Sequence, residues 1–421
     1  MIDTADPAER AFLLGLQTPG ATIDVEDSLD ELAALAAAAD ARVVGRSAQR
    51  RRAPDPNSWV GKGKLEEVAL ECGRVAADLL VCDDELSPTQ QRSLEKATKL
   101  AVIDRSALIL DIFARHARTR EGRLQVELAQ LEYRLPRLAG GSLGLSRLGG
   151  GIGTRGPGET KLESDRQVIR RRIQELKGRL DELSAQRERS RRSRAAEGLF
   201  LAALVGYTNA GKSTLLNALS GSDVPVADQP FATLDPTTRR VALPNGTLVL
   251  LSDTVGFVNK LPPTLVAAFH ATLEELDGAD LLIHVADVSH PNLHEQSVVV
   301  RNTLRSLGLQ ERPILLVLNK ADALAGPEGD ALREALSAEF PQAVLVSALR
   351  GEGLDEVRGR IADLAASLWQ SVALTLPYAS GAMLQRIRER GALHRADYSE
   401  RGIEIEADVP PSLAAELRAA V

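Results

Sequence analysis

The nine residues GYTNAGKST, from Gly206 to Thr214, decide how the rest of this chain is interpreted. They fit the pattern G-x4-G-K-[ST], follow the apolar run LFLAALVG and precede TLLNALS, which has the pattern of an amphipathic helix start. A glycine-rich turn between a strand and a helix can wrap closely around phosphates, and the helix N-terminus adds a positive dipole. The stretch therefore predicts a phosphate loop, with Lys212 on the β- and γ-phosphates and the Ser213 hydroxyl on Mg²⁺.

Two later segments carry the other groups that phosphoryl transfer needs. LLSDTVGF places Asp253 at a strand end, so its carboxylate would support the Mg²⁺ shell and the Gly256 amide would meet the γ-phosphate. FATLDPT, residues 231–237, lies between the phosphate loop and that strand, where a switch segment belongs. Within it Thr233 is our choice for the second Mg²⁺ hydroxyl, ahead of Thr237 and Thr238.

The identity of the nucleotide base is predicted from LVLNKAD, which ends a later apolar run with Asn319, Lys320 and Asp322. A carboxylate at Asp322 can accept two hydrogen bonds from the edge of guanine, whereas adenine offers no such pair of donors. A buried carboxylate left unpaired would penalise the wrong base, so the pattern favours GTP over ATP. VSAL then supplies Ser347 and Ala348, whose backbone would close over the base.

The predicted site has three groups of residues. Lys212, Thr233 and Gly256 are assigned to hydrolysis, and Ser213, Thr233 and Asp253 to the metal. The residues expected to contact GTP or GDP are Gly206, Tyr207, Thr208, Asn209, Ala210, Gly211, Lys212, Ser213, Thr214, Phe231, Ala232, Thr233, Leu234, Asp235, Asp253, Thr254, Val255, Gly256, Asn319, Lys320, Asp322, Ser347 and Ala348.

Two positions bear on the rate of hydrolysis. Many GTPases orient the attacking water with a glutamine directly after the DxxG element, but Phe257 stands there and its ring cannot hydrogen bond. We therefore expect slow intrinsic turnover that a partner or another group accelerates. Asn209 resembles the asparagine that binds K⁺ in potassium-dependent GTPases, and an asparagine that only supports the loop explains the residue at least as well.

The arrangement of apolar runs predicts an α/β protein with four parts. Residues 1–105 resemble a small α/β domain, and 106–198 a basic antiparallel helical hairpin with a Gly-rich tip and a linker. Residues 199–370 contain five strand-length apolar runs that alternate with helical stretches, the pattern of a P-loop GTPase domain with a doubly wound, mainly parallel sheet. Residues 371–421 suggest a short α/β appendage.

The hairpin prediction comes from two leucine and isoleucine seams that step by four and three residues. The first seam precedes a second glycine-rich stretch, GGGIGTRGPGETKLE from Gly149, and the other follows it. That stretch joins two helical segments and lacks a following GK[ST], so it is not a second nucleotide loop. The seam residues are Leu124, Leu128, Leu131, Leu135 and Leu138, then Ile169, Ile173, Leu176, Leu180 and Leu183.

Charge separates this middle segment from the rest of the chain. Between Arg115 and Arg194 there are 20 Lys and Arg against 10 Asp and Glu, a net +10, whereas the whole chain carries −7. The remainder is therefore near −17, and a basic segment in an acidic protein suggests a polyanionic partner. A solvated helical face would give the same pattern.

The composition excludes several other classes of protein. Cys72 and Cys82 are the two cysteines and form no CxxC pair, which argues against a disulfide framework or a zinc site. No apolar run approaches the roughly 20 residues of a membrane span. The start MIDTADPAER lacks the features of a signal peptide. We expect a cytoplasmic, monomeric protein.

Together, GYTNAGKS, FATLDPT and DTVGF, preceded by GGGIGTRGPGETKLE, resemble HflX, a family of bacterial translation-associated GTPases related to the Obg group. WVGKGKLEE near Gly61 also resembles the N-terminal domain of that family. The resemblance covers about residues 10–370 and is weak over the last 50. It implies that GTP controls binding to the large ribosomal subunit and that the protein splits or rescues stalled ribosomes. The basic hairpin and the N-terminal domain would contact ribosomal RNA rather than DNA.

Two other functions stay open. A GTP-switched regulator of another protein or of a membrane surface would be marked by an amphipathic basic helix with exposed aromatics, or by a lipidation signal, and neither is present. An RNA-remodelling factor with its own N-terminal chemistry would need a second phosphate loop. GKGK at Gly61 is too short and lacks a hydroxyl for metal.

Overall fold

The structure is a computed structural model that describes residues 8–138, 158–196, 200–221, 230–231, 237–245, 247–260, 276, 278–367 and 369–420. In the helices that begin at Gly158 and Pro411, side chains are described for 165–185 and from 413 onward. The described residues form two compact units. The first contains the described chain up to Glu182 together with 230–231 and 258–260, and the second contains the rest.

The first unit has a four-stranded, fully parallel sheet in the order β2-β1-β3-β4. The β3 strand, LLVC, is buried throughout, as expected for a strand covered by helices on both faces. Its strands and helices alternate: β1 (Arg10–Gln17), α1 (Val25–Ala38), β2 (Arg42–Arg50), α2 (Lys62–Arg74), β3 (Leu79–Cys82), α3 (Pro88–Thr98), β4 (Ala101–Asp104) and α4 (Arg105–His116). This agrees with the α/β prediction for the start of the chain.

Helices follow the sheet, as the two seams predicted. They are α5 (Arg120–Arg134), a 3-10 turn (Leu135–Leu138) and α6 (Gly158–Ala196). Leu124, Leu128, Ile173 and Leu176 from the seams are buried. Arg172 pairs with Glu127 at 2.7 Å and Lys177 with Glu132 at 2.9 Å, so ion pairs connect the two helices. Both ion pairs join residues 45 positions apart, so they do not support the antiparallel direction of the hairpin, and its tip at 139–157 lies outside the described residues.

The second unit contains a six-stranded sheet in the order β10-β9-β8-β5-β7-β6, parallel except for β6. The fold prediction is confirmed here, since every predicted apolar run forms a strand. The elements are β5 (Phe200–Gly206), α7 (Lys212–Ser220), β6 (Thr237–Ala242), β7 (Leu248–Asp253), β8 (Leu281–Asp287), α8 (Leu293–Ser306), β9 (Ile314–Asn319), α9 (Gly326–Glu339), β10 (Val344–Leu345) and α10 (Leu354–Ser367).

The end of the chain forms an antiparallel three-stranded sheet with its own apolar core. The strand order is β11-β13-β12, and two helices complete this part. Val372, Ile387, Ile405 and Leu417 are among its buried residues. The elements are β11 (Gln370–Leu376), α11 (Gly381–Arg390), β12 (Ala392–Ser399), β13 (Gly402–Val409) and α12 (Pro411–Ala419).

Candidate nucleotide site

The phosphate loop lies between β5 and α7, at the carboxyl edge of the parallel sheet, where α/β proteins bind ligands. Two of its positions have no room for a side chain. A Cβ on Gly206 would lie 2.2 Å from the Val285 carbonyl oxygen, and one on Gly211 would lie 2.3 Å from Asn319 Nδ2. Gly211 is also the N-cap of α7 and has a φ of 87°. The glycines therefore bring the loop backbone close to its neighbours and leave the start of α7 available to an anion.

Lys212 is buried at the start of α7 and its Nζ donates to the carbonyl oxygens of Gly206, at 3.3 Å, and Tyr207, at 3.0 Å. Burial lowers the pKa of Lys212 to about 8, and the Asp253 carboxylate acts in the opposite direction. Two backbone carbonyl oxygens thus hold the ammonium inside the loop. A bound phosphate would offer it a stronger partner and favour its charged form.

The two predicted metal ligands that the structure describes lie together. Ser213 Oγ is 2.5 Å from Asp253 Oδ2, and Asp253 is 1% exposed at the end of β7. A hydroxyl and a carboxylate are the oxygen donors that Mg²⁺ prefers, and Mg²⁺ takes its remaining positions from water and phosphate. The described residues contain no cluster of three or more His, Cys, Asp or Glu that could hold a metal without a nucleotide. The pair fits a metal that arrives with phosphates.

The DxxG segment continues β7 past the phosphate loop and pairs with it. The Phe257 amide donates to the Gly206 carbonyl at 3.0 Å, and the Thr208 amide donates to the Phe257 carbonyl at 2.8 Å. A Cβ on Gly256 would lie 2.8 Å from Thr208 Cα and 3.0 Å from Lys212 Nζ. Gly256 therefore lies against the phosphate loop, and the predicted contact of its amide with the γ-phosphate stays a prediction. The Phe257 ring is 2% exposed and points into the protein interior.

The predicted base-binding residues are joined to one another and to the phosphate loop. Asn319 Nδ2 donates to the Ala210 carbonyl at 2.9 Å, and its Oδ1 accepts from the Ala348 amide at 3.0 Å. Ser347 Oγ donates to Asp322 Oδ1 at 2.6 Å, which fixes the carboxylate that is expected to read guanine. One buried asparagine thus fixes the relative positions of three separate segments.

Sequence reasoning did not identify Asp287, which lies beside this cluster. It ends β8, and its Oδ2 lies 2.7 Å from Lys320 Nζ. The signal was present, because the run LLIHVAD ends in an acid at the same sheet edge as the other site residues.

The structure describes only some of the other residues that the sequence assigned to the site. Phe231 is buried, with a φ of 61°, whereas Ala232, Thr233, Leu234 and Asp235 lie outside the described residues. Thr237, the rival to Thr233, is in β6 directly opposite Asp253. Asn209 is exposed and has a φ of 60°, a conformation that asparagine tolerates better than most residues. The remaining predicted contacts, Thr214, Thr254 and Val255, follow directly on the loop or the β7 strand end.

Three family models match this chain and together span residues 26–320 with short gaps. They are described as "GTP-binding GTPase N-terminal" at 26–114, "GTP-binding GTPase Middle Region" at 116–194 and "50S ribosome-binding GTPase" at 201–320. The third contains the phosphate loop, the DxxG segment and Asn319.

The chain is similar along nearly its whole length to proteins named GTPase HflX. The one from Caldanaerobacter subterraneus subsp. tengcongensis is 44% identical over 418 residues, which are 99% of this chain and 95% of the relative. The one from Lacrimispora saccharolytica is 45% identical over 417 residues, 99% of this chain and 97% of the relative. A solved GTP-binding protein from Sulfolobus solfataricus, in complex with GDP, is 26% identical, with 86% of this chain and 99% of that chain covered and a TM-score of 0.42. Within the described residues, no helix is both long and apolar enough to span a membrane.

Proposed function

This chain belongs to the HflX family of GTPases, and on that premise we propose that it uses GTP, bound with Mg²⁺ at Gly206–Thr214, to associate with the large ribosomal subunit. The observation that carries the proposal is the match of residues 201–320 to the 50S ribosome-binding GTPase model. In this proposal the GTP-bound state binds the ribosome, and the protein splits or rescues stalled ribosomes.

Guanine selection would depend on Asp322. Its carboxylate, held by Ser347 at 2.6 Å, accepts from the guanine N1–H and 2-amino groups. Changing Asp322→Asn would replace an acceptor with a donor, which matches the 2-oxo group of xanthine. We expect this variant to bind GDP at least about 100-fold more weakly and to bind xanthosine diphosphate instead. Competition between the two nucleotides for the variant tests the assignment, and an unchanged preference for GDP contradicts it.

During hydrolysis the site would stabilise the negative charge on the phosphates but would orient the attacking water poorly. Lys212 and the α7 N-terminus stabilise negative charge on the transferred phosphoryl group, and the Gly256 amide meets the same group. Ser213, Asp253 and Thr233 would hold Mg²⁺, which supplies neutralising charge to the β- and γ-phosphates. Because the buried Phe257 ring cannot hold a water, turnover by the protein alone should be slow, and a rapid partner-free rate would overturn this part. Comparing turnover in K⁺ and Na⁺ tests whether Asn209 binds K⁺.

The ribosome would be contacted through the basic middle segment and the N-terminal domain. The +10 net charge between Arg115 and Arg194 suits the phosphates of ribosomal RNA, which bind with a steep salt dependence. Arg147 and Arg155 in the glycine-rich tip lie outside the described residues, as does the side chain of Lys161. We propose that this tip faces RNA.

Co-pelleting with purified ribosomal subunits tests the proposal directly. The protein is mixed with large subunits and a non-hydrolysable GTP analogue or GDP, across a salt series, and pelleted. Nucleotide-dependent pelleting with the large subunit that weakens with salt is expected. Equal pelleting with both nucleotides, or none, would refute the proposal.

A pair of variants separates the tip from the nucleotide site. Replacing Arg155 and Lys161 with Ala should weaken ribosome binding and leave GTP affinity intact. Replacing both Arg386 and Arg395 with Ala is the matched control, because both are ion-paired arginines of the C-terminal part, outside the proposed RNA-binding surface. Equal losses in both variants would mean that overall charge, rather than the tip, determines binding.

A further inference from the structure

Asp287 is a buried carboxylate that the proposed chemistry leaves without a role. It is 8% exposed, and both of its oxygens have partners. Oδ2 is 2.7 Å from Lys320 Nζ, and Oδ1 accepts from the Ser289 amide at 2.9 Å and the Ser289 hydroxyl at 2.6 Å. The short turn after β8 therefore fixes the carboxylate, which in turn fixes the lysine head group.

The strand register explains why these two residues meet. Asp287 pairs with Asn319 in the parallel ladder of β8 and β9, and the Val288 amide donates to the Asn319 carbonyl at 3.0 Å. Lys320 is the next residue, and its φ of 67° places it in the left-handed region, which is unfavourable for residues other than glycine. The chain thus turns sharply at Lys320, and the side chains of Asn319 and Asp322 on either side of it are fixed by hydrogen bonds to other segments. Asn319 is held by Ala210 and Ala348, and Asp322 by Ser347.

We propose that Asp287 is a positioning residue for guanine recognition, acting through Lys320. With its ammonium held by Asp287, the Lys320 side chain keeps one position at the turn between Asn319 and Asp322, two residues that are expected to contact the base. A lysine side chain whose head group is already fixed loses less conformational entropy when the nucleotide binds. This inference rests on the proposed guanine site around Asp322.

A double-mutant cycle on the full-length chain tests the coupling. The dissociation rate of a fluorescent GDP is measured for the native protein, Asp287→Asn, Lys320→Met and the double variant. Each single change should accelerate release about tenfold, and the double change should add little, which is a coupling of about 1.4 kcal/mol. A hundredfold acceleration in the double variant, or no effect of Asp287→Asn alone, would overturn the proposal.

A base-free probe separates positioning from general damage. Inorganic pyrophosphate can use the phosphate loop but has no base, so its own dissociation constant should be unchanged in Asp287→Asn, and it should displace GDP from this variant at a lower concentration than from the native protein. Equal weakening of pyrophosphate and GDP would mean that the substitution damages the whole site and would overturn the proposal.

Asp280→Asn is the matched control. Asp280 is also a partly buried carboxylate, directly before β8, where it accepts from the Leu201 amide at 2.9 Å. Because it lies at the opposite end of the strand, its loss should not alter GDP release.

The Asp322→Asn variant distinguishes a failure of this inference from a failure of the proposed guanine site. If Asp322→Asn binds GDP normally, the guanine site itself is wrong, whereas a loss there with no effect at Asp287 refutes only this inference.

Discussion

Ser213 Oγ and Asp253 Oδ2 are 2.5 Å apart, although 40 residues separate them in the chain. Asp253 ends β7 and Ser213 lies in the first turn of α7, so the contact joins the strand that precedes the DxxG glycine to the phosphate loop. Two oxygen donors held this close can share one small divalent cation once nucleotide phosphates are bound.

The first prediction concerns this pair. Ser213→Ala removes one oxygen, so the Mg²⁺ concentration needed for half-maximal GTP hydrolysis should rise by about tenfold or more. GDP binding in the presence of a chelator should change little, because the loop backbone remains. Magnesium titrations of turnover and of fluorescent GDP binding measure both effects. An unchanged magnesium requirement would exclude Ser213 as a ligand.

The second prediction follows from the buried Lys212 ammonium. Its pKa is about 8 in the protein without nucleotide, below its ordinary value of 10.5. Bound phosphates favour the charged form, so GDP binding at pH 8 should take up roughly half a proton, and affinity should fall as the pH rises above 8. Calorimetry in buffers with different protonation enthalpies measures this uptake.

The Lys212→Arg variant is the control for that experiment. A guanidinium stays protonated throughout this pH range, so the uptake assigned to Lys212 should disappear. The sign for stability is opposite to that for binding. Between pH 8 and 10.5 the unfolded chain holds more protons at this lysine than the folded one, so this group makes the nucleotide-free protein more stable as the pH rises. Uptake that persists in the arginine variant would assign it to another group.

The described residues show which features could be predicted from sequence. The phosphate loop, the DxxG glycine and the base-binding residues are each a short pattern next to a strand, so the local sequence is sufficient to locate them. That they meet at one sheet edge follows from the parallel strands. The contact between Asp287 and Lys320 is different, because it depends on which strand lies beside β9 and in which register. The local sequence of each strand does not specify which strand lies beside it.

A second feature was beyond prediction for a similar reason. Residues 258–260 follow directly on the DxxG segment in sequence but pack within the first unit. Lys260 Nζ lies 2.5 Å from Asp83, and the Asn259 carbonyl accepts from Arg105 at 3.2 Å. These partners are 177 and 154 residues away in the chain, and no local pattern links such distant segments.

The third prediction concerns the missing glutamine. Phe257→Gln should not create a fast GTPase, because the side chain at this position is 2% exposed and its backbone is paired with the phosphate loop. A buried amide without partners should instead lower the free energy of unfolding by about 1–3 kcal/mol. Single-turnover hydrolysis and denaturant unfolding measure the two effects. The Phe257→Leu variant, which stays apolar, should hydrolyse GTP at the native rate, and faster turnover in the glutamine variant alone would contradict our interpretation of this position.

The fourth prediction concerns Lys260. Asp83 is fully buried and pairs with both Lys260, at 2.5 Å, and Arg105, at 2.6 Å, and Lys260 also lies 2.8 Å from Asp84. Burial raises the pKa of Asp84, and the neighbouring Lys260 opposes that shift. Lys260→Met removes this cation from the buried Asp83 and the half-buried Asp84, so the free energy of unfolding of the first unit should fall by about 1–3 kcal/mol.

Urea unfolding of the full chain, monitored by hydrogen exchange of amides in β3 and α4, measures the loss. Asp83 directly follows β3, and Arg105 is the first residue of α4. Arg46→Met is the matched control. It also removes a cation from an ion pair in the first unit, but Arg46 and its partner Asp30 are both largely exposed, and such pairs contribute little. We expect that control to change stability by no more than about 0.5 kcal/mol. If the two variants lose the same small amount, Lys260 is not needed to neutralise Asp83, and Arg105 alone must neutralise it.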